Sequence, residues 1–265
     1  MTNSPKPSRD LPLILVSNDD GYRASGLRVL VAELKRFARV VVCAPANEQS
    51  AASHGITLHR PLRLLEQEPG VFSVNGTPAD CIYVALNSGN RVLSGRPNLV
   101  LSGLNHGLNL GNDIFYSGTV AAAREAALSG FCALALSADS RTDPAAAARV
   151  SAQLARSLLS EGPEGGSLFN VNFPPGDSWD LCATVVGVRL YEEAVDFRRD
   201  PRGKEYLWIG GSHVSHKEMQ DSDTQAYDAG VIGITPVSLE LWSSRHQHVA
   251  SDLAARVGAL PVDAS

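Results

Sequence analysis

The chain has 265 residues, of which 44% are hydrophobic and 19% charged, and its formal net charge is −5. This composition predicts a globular protein with a sizeable core. The negative charge argues against a protein that works by wrapping nucleic-acid duplex, which needs a basic face. No apolar run approaches the ~18 residues of a membrane span, so no membrane association is expected.

Two further sequence features bear on the cellular location of the protein. The four cysteines are far apart and have no CxxC spacing, and Cys43, Cys81 and Cys132 lie in apolar surroundings, which favours buried free thiols and a cytoplasmic location. The polar, proline-bearing segment 1–10 has no apolar stretch of a signal peptide. It is predicted to be a disordered tail.

Strands and helices alternate along the first two thirds of the sequence. The apolar runs predict strands at 13–16, 40–43, 99–101, 132–136 and 169–173, with the third strand ending at Ser102–Gly103. Helical spacing predicts helices within 24–38, 80–86, 119–128 and 143–159. Strand–helix–strand order indicates right-handed connections and a parallel sheet. The predicted fold is a Rossmann-like three-layer αβα sandwich with a mainly parallel sheet.

The pattern changes after Pro175. Strands are predicted at 185–190, 205–209 and 230–235 without helices between them, followed by a partly helical stretch at 249–257. We therefore divide the chain into the tail 1–10, a catalytic core 11–175, and a β-rich extension and oligomerisation arm 176–265 that packs on the core.

The stretch SNDDG, residues 17–21, places two carboxylates side by side where the first strand ends. Like charges repel, and their desolvation is costly unless a positive charge compensates. A hard cation such as Mg²⁺ or Mn²⁺ would compensate Asp19 and Asp20, since it prefers oxygen ligands. The alternative interpretation is that one Asp caps the following helix and the other is solvated.

Two later loops supply neutral oxygens at the same predicted edge of the sheet. Residues 44–55 (APANEQSAASHG) and 102–119 (SGLNHGLNLGNDIFYSGT) are rich in Ser, Asn and Gly. Ser117, Gly118 and Thr119 lie at a predicted helix start, where free backbone N–H groups and hydroxyls can bind an anion. An ordinary Ser/Thr N-cap is the simpler alternative.

These motifs carry a family resemblance. SNDDG, APANEQSAASH, VNGTPADC, SGLNHGLNLGNDIFYSGTV, FNVNFP and DPRG occur in this order between Leu13 and Pro236. Together they resemble the SurE family of survival-protein nucleotidases. SNDDG alone is a weak signal, whereas the long block that ends in YSGTV is highly specific.

The resemblance implies a 5′-nucleotidase that hydrolyses nucleoside monophosphates with one divalent cation per subunit, Mg²⁺ or Mn²⁺. It also makes 3′-monophosphates and short polyphosphate candidate substrates. It implies dimers or tetramers formed through C-terminal elements. The metal ligands that it implies are Asp19, Asp20, Ser50 and Asn105, with Asp19, Asp20 and Asn109 as catalytic residues and Asn109, Ser117, Gly118 and Thr119 around the phosphate.

Several alternatives stay open. His106 and Asn112 stand where arginine and aspartate are common in the family, which leaves substrate preference open. His54 and His106 could contact phosphate or donate a proton, or simply pack. Hydrolysis could proceed by direct water attack or through an aspartyl-phosphate. A signalling receiver, a calcium-dependent nucleoside hydrolase and a non-catalytic nucleotide-binding module are the competing classes, and the sequence lacks the diagnostic residues of the first two.

Overall fold

The structure of the chain, a computed structural model, describes residues 11–162, 164–192, 195–209 and 214–258. The predicted tail, 1–10, lies outside these described residues. The strands are β1 (Leu13–Ser17), β2 (Arg39–Pro45), β3 (Leu64–Glu68), β4 (Val71–Val74), β5 (Leu99–His106), β6 (Ala133–Ala138), β7 (Leu168–Phe173), β8 (Leu181–Ala183), β9 (Arg189–Tyr191), β10 (Val195–Arg199), β11 (Glu205–Ile209), β12 (Val214–His216) and β13 (Ile232–Pro236). The helices are α1 (Ser25–Leu34), α2 (Pro78–Asn87), α3 (Gly118–Leu128), α4 (Pro144–Glu161), α5 (Asp223–Asp228) and α6 (Gln247–Gly258).

A central sheet organises the described part of the chain, with strand order β3-β4-β2-β1-β5-β6-β7-β13-β8. The strands from β4 to β7 pair in parallel, while β3 and β13 run antiparallel to their neighbours β4 and β7. All five residues of β1 are buried, as expected for a strand covered on both faces. The β3–β4 hairpin is not among the strands predicted from the sequence.

Helices cover both faces of this sheet. One core cluster contains buried residues of α2 and α3, and a second contains buried residues of α1 and α4. Successive residues of β1 contribute alternately to the two clusters, because side chains alternate across a strand. The predicted three-layer α/β fold is confirmed.

Local signals set the helix starts. Asp143 caps α4 by accepting a hydrogen bond from the Ala146 N–H at 2.7 Å, and Pro144 occupies the first turn. Thr77 and Asp80 form a reciprocal capping box at the start of α2. Such caps satisfy backbone N–H groups that have no partner within the helix. None of the described helices is long and apolar enough to cross a membrane.

The predicted end of the third strand at Ser102–Gly103 is wrong, because β5 continues to His106. Its pairing with β6 shifts register between Ser102 and Asn105. Gly103 makes this irregularity possible: its φ is +136°, and a Cβ there would lie 2.3 Å from the Leu136 carbonyl oxygen. The longer strand carries Asn105 to the carboxyl edge of the sheet.

The extension differs from the prediction, which did not include β8, β10 or β12. The residues between β8 and β9 are not in a strand, so the predicted strand at 185–190 is wrong over most of its length. A helix, α5, interrupts the supposedly helix-free region, with Ser222 as its N-cap. The sequence did not indicate α5, because this helix is short and polar and lacks an apolar periodicity. Strands β8 and β13 join the central sheet, and the division of the chain at residue 176 stays a prediction.

Candidate active site

A cavity of about 480 Å³ lies at the carboxyl ends of β1 and β5. Six of the predicted site residues line it: Asp19, Asp20, Ser50, Asn105, Asn109 and Ser117. They converge because β1 and β5 are adjacent and parallel, so that the loops after them open on the same edge. The loop after β2 is joined to this edge by the Gln49 N–H, which donates to the Asp19 carbonyl oxygen at 2.8 Å.

The paired aspartates are short of positive charge. Asp19 is 6% exposed, and burial is the main cause that raises its pKa to about 6, with Asp20 adding to the rise and the Thr119 hydrogen bond opposing it. Burial also raises the pKa of Asp20, against a hydrogen bond from the His106 backbone. Within the described residues neither carboxylate forms an ion pair. A bound cation would therefore stabilise these two carboxylates in their charged form.

Ser50 and Asn105 bring neutral oxygens to the same cavity. The Ser50 hydroxyl donates to Glu48 Oε1 at 2.6 Å, which leaves its lone pairs available. The Asn105 side-chain nitrogen donates to the Gly107 carbonyl oxygen at 2.9 Å, which leaves Oδ1 as the atom available to the cavity. Ala51, next to Ser50, has a φ of +55°, a strained conformation for a residue other than glycine and one often found at functional sites.

The start of α3 packs directly behind Asp19. Gly118 permits this contact, since a Cβ there would lie 2.8 Å from Asp19 Cβ. The Thr119 hydroxyl, fully buried, donates to Asp19 Oδ1. Gly118 and Thr119 therefore support Asp19 from within the protein, whereas Ser117 lines the cavity and caps α3 by accepting from the Val120 N–H at 3.0 Å. The Ser117 hydroxyl hydrogen stays free to donate to an anion.

Asn109 is held by two asparagines of β7. Its N–H donates to Asn172 Oδ1 at 2.8 Å, and its carbonyl oxygen accepts from the side-chain nitrogens of Asn170 at 2.7 Å and Asn172 at 3.0 Å. Its own side-chain nitrogen donates to the Ser137 hydroxyl at 2.7 Å. The repeated asparagines of FNVNF point to the same face of β7. They fix the backbone of a cavity residue more than 60 positions earlier in the chain.

The two histidines have different surroundings. His106 lines the cavity, and its N–H donates to Asp20 Oδ2 at 3.3 Å. His54 is not among the residues that line the cavity in the described part of the chain. Its Nε2 lies 2.8 Å from Glu125 Oε2 on α3. His54 thus ties the Ser50 loop to α3, and His106 remains the histidine that could reach a ligand.

Comparison with known proteins agrees with this architecture. The sequence model of the family described as "Survival protein SurE" matches residues 14–193. The chain belongs to the SurE family. The match begins within β1 and ends just after β9, so it includes all the cavity residues named above. The family resemblance drawn from the motifs is confirmed.

Curated SurE relatives match over nearly the whole chain. The protein named 5′-nucleotidase SurE of Sorangium cellulosum is 58% identical over 255 residues, covering 95% of this chain and 99% of its own. That of Myxococcus xanthus is 45% identical, covering 91% of this chain and 90% of its own. The crystal structure of the SurE protein from Aquifex aeolicus is 32% identical, with a TM-score of 0.79, and the match covers 91% of this chain and 99% of that one.

The donor set of this SurE site fits a hard divalent cation. Asp19, Asp20, Ser50 and Asn105 offer two carboxylates, a hydroxyl and an amide oxygen, all in one cavity, and hard cations prefer oxygen ligands. The described residues contain no group of three or more His, Cys, Asp or Glu side chains placed to hold a metal. The two neutral oxygens add no negative charge to that of the two carboxylates, so a divalent cation held there could still coordinate an anionic substrate oxygen.

Sequence reasoning missed several residues that line the cavity. The wall also contains Glu48, Leu108, Asp113, Tyr116 and Tyr191. Glu48 and the residues of the 102–119 loop lie within motifs that were recognised but were not assigned a role individually. Tyr191 comes from the extension, and no local pattern around it indicates a site. Only the docking of β9 beside the loop reveals it.

Proposed function

We propose that the protein is a metal-dependent phosphomonoesterase that hydrolyses nucleoside 5′-monophosphates to nucleoside and phosphate, with one Mg²⁺ or Mn²⁺ per subunit. The names of the relatives support nucleotide hydrolysis. The observation that carries the metal dependence is the Asp19–Asp20 pair. These carboxylates have raised pKa values and no ion pair among the described residues, and they share their cavity with two neutral oxygen donors.

The site residues would have different roles in binding the cation and the phosphate. Asp19, Asp20, Ser50 and Asn105 would hold the cation, which when bound polarises a phosphoryl oxygen and makes water a better nucleophile. The Ser117 hydroxyl and the Gly118 backbone N–H at the start of α3 would bind the remaining phosphate oxygens. If the side-chain amide of Asn109 turned by 180°, the Ser137 hydroxyl would donate to Asn109 Oδ1, so that the contact between the two residues would be kept. The Asn109 side-chain nitrogen would then be directed toward the phosphate.

Thr119 and Gly118 act through Asp19. The Thr119 hydroxyl donates to Asp19 Oδ1 and fixes the orientation of that carboxylate. Gly118 allows the helix start to approach Asp19 without a steric clash. We therefore assign both a positioning role, with direct phosphate contact limited to the Gly118 backbone N–H, because the Thr119 N–H is directed to the Asp19 carboxylate.

Two routes to phosphate remain, and they differ in the attacking atom. In direct hydrolysis a water oxygen attacks phosphorus and the nucleoside leaves. In the covalent route Asp19 or Asp20 attacks first, and water then cleaves the aspartyl-phosphate. We favour direct attack, because these carboxylates are needed to hold the cation. Acid quenching of the enzyme during turnover with ³²P-labelled AMP would detect a labelled protein if the covalent route operates.

Phosphate release from a substrate panel tests the proposal. The panel contains 5′- and 3′-nucleoside monophosphates and short polyphosphate, each assayed with Mn²⁺, Mg²⁺ or EDTA. We expect release from 5′-monophosphates that requires metal, and the panel ranks the other two classes. Tight nucleotide binding without release under any condition would contradict the proposal and would favour a binding module.

We also propose that the extension joins subunits into a homodimer or homotetramer. The β10–β11 hairpin exposes apolar side chains on both faces: Phe197 and Ile209, 61% and 85% exposed, share one face, and Trp208, 61% exposed, lies on the other. A two-stranded hairpin alone is marginally stable in water, and contiguous exposed apolar surface marks interaction sites. A second copy of the chain would cover this surface. The cytoplasmic location stays a prediction.

Light scattering coupled to size-exclusion chromatography tests this assembly. The wild type should elute as a dimer or tetramer, and the double variant W208S/I209S should shift toward monomer. Leu128→Ser is the matched control, because Leu128 is also exposed, at 57%, but lies at the end of α3. A monomeric wild type would contradict the proposal.

A further inference from the structure

Two tyrosine rings stand on the wall of the cavity that contains the paired aspartates. Tyr116 follows the short helical turn Gly111–Phe115 after β5 and is 66% exposed, while Tyr191 ends β9 in the extension and is 45% exposed. Leu108 also lines the cavity. Neither ring is needed to hold a cation or a phosphate. They add flat apolar surface to a site that is otherwise polar.

The Tyr191 ring is held firmly in its position. Its hydroxyl donates to Asp113 Oδ1 at 2.5 Å, and its backbone pairs with β12 through Val214. The guanidinium carbon of Arg189 lies 5.3 Å from the ring centroid. Burial and the Asp113 hydrogen bond raise the pKa of Tyr191 to about 12, so the hydroxyl remains a donor. A ring fixed in advance loses little entropy when a ligand binds.

The positively charged side chain next to Tyr191, Arg189, already has an acidic partner. Arg189 Nη1 forms an ion pair with Asp113 Oδ2 at 2.5 Å, and both side chains are mostly buried, at 17% and 13% exposed. The backbone N–H of Arg189 donates to Asn112 Oδ1 at 2.9 Å. Arg189 thus fastens the extension to the loop of the active site and is not available to neutralise a phosphate. What this part of the wall offers a ligand is the aromatic surface.

We propose that Tyr191, together with Tyr116, forms the nucleobase subsite of this enzyme, in which the base stacks on a tyrosine ring. This inference rests on the proposed nucleotidase function. The cavity of about 480 Å³ lies within the size range of small-molecule sites. Stacking on an aromatic ring tolerates every base, because each has a π-face. The subsite therefore favours nucleotides over phosphate esters without a base, and purines over the smaller pyrimidines.

The test compares AMP with ribose 5-phosphate, which carries the same phosphate and sugar without the base. The quantity measured is the ratio of kcat/KM for the two substrates with Mn²⁺. In Tyr191→Leu this ratio should fall about tenfold, through a higher KM for AMP, since loss of a stacked aromatic ring weakens base binding by at least about that factor. Tyr116→Leu should lower the ratio in the same direction.

Two further variants separate stacking from other effects. Tyr191→Phe keeps the ring but removes the hydrogen bond to Asp113, so its ratio should stay within about threefold of the wild type. Tyr83→Leu alters a tyrosine that is 52% exposed on α2 and does not line the cavity. It should leave the ratio unchanged. A fall in Tyr191→Phe as large as in Tyr191→Leu would assign the effect to the Asp113 bond and overturn the subsite.

The remaining outcomes are also decisive. An equal loss of kcat/KM for AMP and ribose 5-phosphate in Tyr191→Leu would mean that the ring only supports the loop, and would overturn the proposal. If the wild type releases phosphate from neither substrate, the proposed function fails. AMP binding by calorimetry then tests the subsite separately, and equal affinity in wild type, Tyr191→Leu and Tyr116→Leu would overturn it.

Discussion

Asp19 and Asp139 each follow a parallel strand of the same sheet, but their surroundings shift their pKa values in opposite directions. Asp19 follows β1, is buried, lacks an ion pair among the described residues, and has a raised pKa. Asp139 follows β6 and accepts hydrogen bonds from Arg141 at 2.9 Å and from the Tyr227 hydroxyl at 2.7 Å. The Arg141 hydrogen bond, chiefly, holds the pKa of Asp139 well below its usual range.

The difference shows how a carboxylate becomes available for chemistry. Asp139 has partners that satisfy its charge, and it joins the core to α5 of the extension through Tyr227. Asp19 has only neutral hydrogen-bond partners among the described residues, the Thr119 hydroxyl and backbone N–H groups, and it has a neighbouring negative charge. Burial without compensation is unfavourable for folding and is retained where the group has a function. The same pattern in sequence, a strand followed by Asp, thus serves structure at Asp139 and, in our proposal, cation binding at Asp19.

The largest expected effect separates the two aspartates by activity. Asp19→Asn should lower kcat/KM for AMP by about 1,000-fold, because weakening the hold on the cation removes several kcal/mol of transition-state stabilisation. Asp139→Asn should keep it within about threefold, since Asp139 lies outside the cavity wall. Steady-state phosphate release measures both. Equal losses of kcat/KM in Asp19→Asn and Asp139→Asn would mean that the opposite pKa shifts of these two carboxylates do not distinguish a functional residue from a structural one.

A smaller effect concerns the hydroxyl that supports Asp19. Thr119→Val keeps the shape of the side chain but removes the hydrogen bond to Asp19 Oδ1. Supporting partners of metal ligands typically contribute at least about tenfold in affinity, so the dissociation constant for Mn²⁺ should rise by that factor. Titration calorimetry of the metal-free protein measures it directly.

Thr119→Ser is the matched variant for this prediction. It retains the hydroxyl, so the affinity for Mn²⁺ should remain close to that of the wild type. If Thr119→Ser and Thr119→Val weaken Mn²⁺ binding equally, packing of the lost methyl group, and not the hydrogen bond, explains the effect.

The smallest expected effect concerns the satisfied aspartate. Tyr227→Phe removes the hydrogen bond to Asp139 Oδ2 and should lower the free energy of unfolding by about 1 kcal/mol at pH 7. The folded-state pKa of Asp139 is depressed, so its contribution is present above the ordinary carboxyl pKa and is lost as the pH falls below about 4. Urea unfolding at pH 7 and at low pH measures the difference. A difference between variant and wild type that does not shrink at low pH would contradict this account.

The fold was largely predictable because local signals agreed with one another. Continuous apolar runs indicated strands that are buried on both faces, and Asp143–Pro144 marked the start of α4. The errors occurred where tertiary contacts override local pattern. β5 continues through Ser102 and Gly103 because neighbouring β6 accommodates a glycine irregularity. The polar helix α5 is stabilised by Asp223, which accepts from the Gly111 and Gly187 N–H groups at 2.9 and 2.8 Å.

By itself, the sequence determined the family, the alternating strand–helix order and the residue types that could bind a cation, because each of these is written in short contiguous motifs. Only the tertiary structure decided which motif residues face the cavity and which stand behind it. Ser117 faces the cavity and Thr119 supports Asp19, although they are two positions apart. Tyr191 reaches the site from 78 positions beyond Asp113. Such placements depend on packing between distant segments, and no local pattern encodes them.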